Sequence, residues 1–423
     1  MKARIIFLLL SAAVLAGAFA LTDALNSRTD EPGVDRGEGV TVAVATDLHY
    51  LAPELTDGGE FFTRLVSDAD GKVMLYIDEL VRAFAWQVAD ERPDALIISG
   101  DLTFNGETAS HEALADILGG IEAAGVPVYV IPGNHDLNSS MAARYSGDGY
   151  ERVESPTEGE FAQIYADFGY DEAISRDGSS LSYTAQLAPG VRLLMLDVNT
   201  RTNPGWALDG TLEWLDDQLA QAAAAGERVI AVSHQNLYAH SSLFVDGYVI
   251  GNAGALAESY AEYGVLCNLS GHIHLQHTAA YNGLPEIVTS SLAVSPNQYG
   301  LLTVGEGSCE YAAVSVDVSA WAAEEGVDGA ELEDFAAYSA GFFRQTALDQ
   351  AYAALGDAAD AEALAEFYAE VNAQYFAGRS DLITWDEELM DGWSGHGFTI
   401  PMYLESIRMG EAADHTHMRW QTS

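Results

Sequence analysis

Val126-Pro-Val-Tyr-Val-Ile-Pro-Gly-Asn-His-Asp136 decides the fold. Val126–Ile131 is apolar and rich in β-branched residues, the composition of a buried strand. The chain then runs directly into Gly133-Asn134-His135-Asp136, side chains able to hold metals or protons. The same order recurs on either side. Thr41–Thr46 leads into Asp47-Leu48-His49, and Ala95–Ser99 into Gly100-Asp101. Arg228–Ser233 leads into His234, and Val265–Ser270 into Gly271-His272-Ile273-His274. Between the strands lie helical stretches. Val73, Ile77, Leu80, Val81 and Phe84 recur at helical spacing, and Glu107–Ala124, Leu212–Ala225 and Ala255–Tyr263 read as further helices. This alternation means βαβ units and an α/β fold whose sheet is covered by helices. Ligands in such folds gather in a crevice at the carboxyl ends of the strands.

Asp47, His49, Asp101, Asn134, His234, His272 and His274 make an oxygen-and-nitrogen donor set suited to divalent transition metals. It is large enough for two ions sharing one carboxylate, the arrangement that activates water for attack on phosphorus. Asp47 and His49 are two residues apart, so an extended backbone would place both on one face. Glycines at 100, 133 and 271 stand beside ligands, where tight turns are needed. The formal charge is -46, with 64 acidic residues against 18 basic ones. That excludes sequence-independent nucleic-acid binding, which needs lysine and arginine on phosphates, and no duplex partner is expected. In so acidic a chain a phosphate site must draw its positive potential from bound metals.

Together these five blocks resemble the calcineurin-like metallophosphoesterase superfamily, over roughly residues 40–318. Gly100-Asp-Leu-Thr-Phe-Asn-Gly-Glu107 and Phe168-Gly-Tyr-Asp-Glu-Ala-Ile-Ser-Arg176 are most similar to secreted Gram-positive class III cyclic nucleotide phosphodiesterases with a helical C-terminal domain. The resemblance implies a four-layer sandwich, two mixed sheets between helices. It implies one ion on Asp47, His49, Asp101 and His274, and a second on Asp101, Asn134, His234 and His272. The cofactors would be two divalent ions (Mn, Fe or Zn), with a metal-bridging hydroxide as nucleophile. His135 resembles the family's non-ligand histidine, which contacts the phosphate and protonates the leaving oxygen. Asp136 either orients His135 or caps a helix. Purple acid phosphatases carry a tyrosinate three residues after the bridging aspartate, where this chain has Phe104. Gln235 replaces a second histidine found in many relatives. The expected substrate is a small phosphodiester such as a cyclic nucleotide. A phosphomonoesterase or 5′-nucleotidase, and a catalytically silent nucleotide-binding module, are the alternatives.

Lys2 and Arg4 precede an apolar stretch from Ile5 to Leu21 that ends in Ala18-Phe19-Ala20. It has the form of an export signal over residues 1–20, or of an uncleaved membrane anchor, and points to an extracytoplasmic protein. Residues 21–38 form a polar leader, 39–319 the catalytic domain, and 320–423 a helical C-terminal domain. Leu181–Ala188 and Val191–Asp197 suggest a hairpin, and Glu286–Val294 and Tyr311–Val318 the completion of a second sheet. Cys267 reads as a small buried hydrophobe, although export would permit a bridge to Cys309. His111 and His240 lie near the motifs, within reach of a substrate. His277 reads as structural, and His415-Thr416-His417 as a solvated pair in a polar tail.

Overall fold

The computed structural model describes residues 39–422. In chain order come β1 (Val40–Ala45), α1 (Glu60–Ser67), α2 (Ile77–Glu91), β2 (Ala95–Ile98), α3 (Thr108–Ala123) and β3 (Val128–Val130). A small hairpin, β4 (Ala143–Ser146) and β5 (Gly149–Arg152), and α4 (Glu158–Ile164) lead to β6 (Ser175–Arg176), β7 (Tyr183–Ala188) and β8 (Val191–Leu196). Next are α5 (Asp209–Ala225), β9 (Arg228–Ser233), α6 (Ala253–Tyr263), β10 (Cys267–Ser270), β11 (His277–Tyr281), β12 (Leu284–Val288), β13 (Gln298–Val304) and β14 (Ser308–Ser315). Helices α7 (Val318–Glu325), α8 (Phe335–Leu355), α9 (Ala361–Phe376), α10 (Glu387–Trp393) and α11 (Thr399–Arg408) precede β15 (His417–Gln421).

Two mixed sheets result, ordered β15-β14-β13-β1-β2-β3 and β11-β12-β10-β9-β8-β7-β6. β1, β2 and β3 run parallel in the first, as do β8, β9, β10 and β12 in the second. β8 shows how the layers form. Leu193 and Met195 join the core shared by both sheets, while Leu194 and Leu196 point to the other face. There they meet Leu215 and Leu219 of α5 and Leu256 and Tyr260 of α6. Each such buried side chain contributes roughly 1.5–3 kcal/mol by leaving water. On the first sheet, α2 packs Phe84 against Tyr299 of β13, with ring centroids 5.4 Å apart. Helices therefore flank two sheets, as expected.

Two expectations change. Glu286–Val294 and Tyr311–Val318 do not complete one sheet: β12 joins the second sheet and β14 the first. The turn at Val294–Asn297, closed by Asn297 N–H donating to Val294 O at 2.8 Å, carries the chain across. The region from residue 320 is helical only as far as Arg408, and β15 then pairs antiparallel with β14. An open sheet edge offers unpaired backbone groups to any strand that reaches it, and Trp420 anchors this one by donating to Leu266 O at 3.1 Å. The C-terminal helices share a third apolar cluster with the catalytic part, where Leu364, Phe367, Tyr368 and Trp393 meet Ile273, Leu275 and Val288. Cys267 and Cys309 are both buried and free. The export-signal and leader segments lie outside the described residues. Among the described residues no helix is long and apolar enough to cross a membrane.

Candidate metal centre

Five strands from the two sheets bring their carboxyl ends to one crevice. Asp47 and His49 follow β1, Asp101 follows β2, Asn134 follows β3, His234 follows β9, and His272 and His274 follow β10. Donor atoms of Asp47, His49, Asp101 and His274 lie within 4.8 Å of one another. Nε2 of His49 and Nε2 of His274 face each other at 3.2 Å. The His274 atom also lies 3.2 Å from Asp47 Oδ1. Asp101, His234 and His272 form a second group. His234 Nε2 stands 3.3 Å from Asp101 Oδ2 and 3.1 Å from Asn134 Oδ1. Asp101 thus belongs to both groups. Among the described residues Asp47 Oδ1 is buried with no formed hydrogen bond, facing the imidazoles of His274 and His49 at 3.2 and 3.7 Å, which is costly for a carboxylate oxygen unless a cation meets it. The residues fit a pair of divalent ions.

The backbone at these ligands is unusual. Asp47 (φ 50°), His49 (45°), Asp101 (50°), His272 (71°) and His274 (61°) all lie in the left-handed region. Each such non-glycine residue costs about 1–2 kcal/mol, and strain of this kind persists where its surroundings over-determine it. Asp47 N–H donates to Gly100 O and His49 N–H to Asp101 O, both at 3.0 Å. His272 N–H donates to Asp47 Oδ2 at 2.9 Å. This corrects the expectation of an extended Asp47–His49: left-handed steps, not the strand pleat, aim both side chains inward. Gly133 and Gly271 admit the close approach. A Cβ at Gly133 would strike the Asp101 carboxylate, and one at Gly271 the side chain of Thr46.

Outer hydrogen bonds choose which imidazole nitrogen faces the crevice. His234 Nδ1–H donates to Ser99 O at 3.0 Å, turning Nε2 inward. His272 Nε2–H donates to Gly247 O at 3.0 Å, which leaves Nδ1 for the group. Burial raises the Asp47 and Asp101 carboxyls, yet nearby imidazoles outweigh it and hold both below the usual range, chiefly His274 for Asp47 and His234 for Asp101. His234, which burial alone would lower, is pushed up to about 9, mainly by Asp101. Burial and the charge of His234 push His272 down to about 4, and burial and Lys72 lower His49. The ionised carboxylates and the neutral His49 and His272 are in the forms that bind metal, whereas His234, held protonated by Asp101, would have to release its proton to an incoming ion.

His135 enters the crevice without joining either group. Its side chain is 37% exposed and Nε2 lies 4.0 Å from Asp101 Oδ2. Nδ1–H points to Phe104 O at 3.1 Å and Asn105 Oδ1 at 3.3 Å. Asp136, expected to orient His135 or to cap a helix, does neither. It is fully buried and accepts from the backbone N–H groups of Leu102, Thr103 and Gly133 at 3.1, 3.0 and 2.7 Å. These three donors use both carboxylate oxygens and tie the Asp101 loop to the Asn134 loop. The Phe104 ring packs on Phe62 and Tyr145. Gln235 donates to Asn199 Oδ1 at 2.6 Å.

His111, His240, His277 and His415 are packed into the fold, while His417 stays exposed beside Glu310. His111 is buried against Tyr165 and Thr103, and His240 against Glu286 at 3.0 Å, so neither reaches a substrate. His415 is 4% exposed and stacks on His277 at 3.8 Å, a correction to its expected solvation. β15 draws the polar tail onto the sheet and buries that ring. Four neighbours of the site went unread in the sequence: Asp70, Lys72, Asn105 and Gly247. The scarcity of lysine, found only at positions 2 and 72, is a signal that marks Lys72.

Two mixed sheets between helices, with a divalent-metal crevice at the strand ends, define a metal-dependent phosphoesterase. The chain belongs to the calcineurin-like phosphoesterase family, whose profile matches residues 40–276. Residues 317–407 match the C-terminal domain of cyclic nucleotide phosphodiesterase. A probable cyclic nucleotide phosphodiesterase of Rhodopseudomonas palustris is 25% identical over 258 residues, covering 56% of this chain and 80% of that protein. One from Rhodococcus erythropolis is 28% identical over 250 residues, covering 58% and 68%. Among solved structures, a dimetal phosphatase from Danio rerio aligns with 17% identity and a TM-score of 0.48, over 65% of this chain and 97% of that one.

Proposed function

We propose that the protein is an exported dimetal phosphodiesterase that hydrolyses cyclic nucleotides or related small phosphodiesters. Asp47, His49, Asp101 and His274 would hold one divalent ion (Mn, Fe or Zn), and Asp101, Asn134, His234 and His272 the other. Such ions, when bound, acidify a coordinated water toward neutrality and polarise the phosphoryl group. The placement of His135 carries the reading. Its Nδ1–H is committed to Phe104 O and its Nε2 stands 4.0 Å from the shared aspartate. A protonated Nε2 can hold a phosphoryl oxygen and pass its proton to the departing ester oxygen. A diester whose leaving group is an alkoxide needs that proton. The names of the two bacterial relatives and the match at residues 317–407 support a diester, nucleotide-sized substrate.

Turnover of the metal-freed, Mn²⁺-reloaded protein on cyclic mononucleotides, cyclic dinucleotides, nucleoside monophosphates and simple diesters tests this. The highest kcat/KM is expected on a cyclic mononucleotide. A preference for monoesters would replace the reading with a nucleotidase, and inactivity on the whole panel with a binding module. Export rests on Lys2, Arg4 and the apolar run to Ala20. N-terminal sequencing of protein recovered outside the cytoplasm is expected to begin after Ala20.

A further inference from the structure

The chain has only two lysines, Lys2 and Lys72, and every other cationic side chain of fixed charge is arginine. Lys72 is also nearly buried, its side chain 10% exposed, and it pairs with Asp70 Oδ2. That same oxygen lies 3.7 Å from Nδ1 of His274, whose Nε2 faces Asp47 and His49. We propose that Asp70 and Lys72 form a positioning pair for the first metal position: Asp70 receives the Nδ1–H of His274, and Lys72 holds Asp70 in place. The pair presupposes the dimetal centre and adds its outer support.

Three features point the same way. His234 and His272 each have a carbonyl that fixes the ring, whereas among the described residues His274 has only Asp70 beside its Nδ1. His274 Nδ1 and Asp70 Oδ2 face each other at 3.7 Å, longer than a formed hydrogen bond. The segment is also braced from two sides. Lys72 bridges antiparallel to Val294, and Val73 N–H donates to Ala293 O at 2.9 Å. From the other side Phe343 of α8 lies against Gly71, where a Cβ would overlap its ring. Lysine suits the role because its compact ammonium can meet one carboxylate oxygen in a tight space. An arginine fork needs more room and a bidentate partner.

Wild-type protein freed of metal is titrated with Mn²⁺ in competition with a fluorescent chelator. Wild type is expected to bind two ions, and fewer would overturn the dimetal centre itself. In Asp70→Asn, one affinity is expected to fall about tenfold, the low end for an outer-shell partner because Asp70 is half exposed. The weakened ion should be the one lost in His274→Ala, and the other should hold within about twofold, well under that range. Unchanged affinities, or equal loss of both ions, would overturn the proposal. Asp70→Asn strands a buried ammonium, so a double variant, Asp70→Asn with Lys72→Met, controls for stability. Its melting temperature without metal is expected to return toward wild type while the first ion stays weak. Recovery of that affinity in the double variant would show that Asp70 does not position His274.

Discussion

Asp101 is the residue on which both metal groups converge, and its left-handed backbone is held by its neighbours. Asp101→Asn keeps the shape but removes the one charge that the two cations would share. Metal content measured on the purified variant should fall below two ions, with turnover down at least about a hundredfold. His135 sits beside that carboxylate and outside both groups, so His135→Ala should retain both ions. Its turnover should drop about 10²- to 10⁴-fold. The loss should be largest for a ribose leaving group and smaller for nitrophenolate, which departs without a proton. Equal losses on both substrates would point to phosphate positioning alone. Asp136 predicts the opposite pattern. Asp136→Ala strands three buried N–H donors, at about 1–3 kcal/mol each, so it should lower the melting temperature before any kinetic parameter is measurable.

At the scale of elements, the segment from Phe104 into α3 links the site to the fold. Phe104 O and Asn105 Oδ1 hold His135, and Asn105 N–H in turn donates to Glu107 Oε2 at 3.1 Å. Glu107 is fully buried, and burial pushes its carboxyl up to about 7. Folding therefore favours its protonated form. Between the ordinary glutamate value and about 7 the folded chain keeps a proton that the unfolded chain has released, so stability falls as pH rises through this window. The cost is absent at lower pH and complete above pH 7, at about 3 kcal/mol. Glu107→Gln removes the titration. Urea unfolding at pH 5 and pH 8 should show the variant gaining on wild type at the higher pH. A constant difference would mean that Glu107 is not the group responsible.

On the scale of the whole molecule, the C-terminal helices are part of the site's support. Phe376 O accepts from Gln276 N–H at 3.0 Å, two residues beyond His274. Phe343 presses on Gly71, and Gly247, which holds His272, lies in a loop whose Phe244 and Tyr248 pack on the C-terminal cluster. A chain cut at residue 319 would expose Ile273, Leu275 and Val288 and uncover the edge of β14. It is expected to aggregate or melt at lower temperature and to bind Mn²⁺ more weakly. A stable fragment with wild-type affinity for both ions would show that the helices serve some other end.

The α/β order, the crevice at the strand ends and the seven candidate ligands were legible in the sequence. Apolar runs of strand length followed at once by metal-capable side chains are local signals, and local signals survive without coordinates. The left-handed turns at five ligands were not legible, because backbone dihedrals at a strand end depend on bonds to a neighbouring loop. Asp136 shows the same limit: its sequence neighbour is His135, but its hydrogen bonds run to Leu102, Thr103 and Gly133. His415 lies 138 residues from His277 in the sequence, yet the two rings stack once β15 closes on β14. Which residues are candidates for the chemistry was decided by their identity and spacing. Which of them are aimed at it, and which hold the loops, was decided by contacts between segments far apart in the chain, and only the tertiary structure contains those.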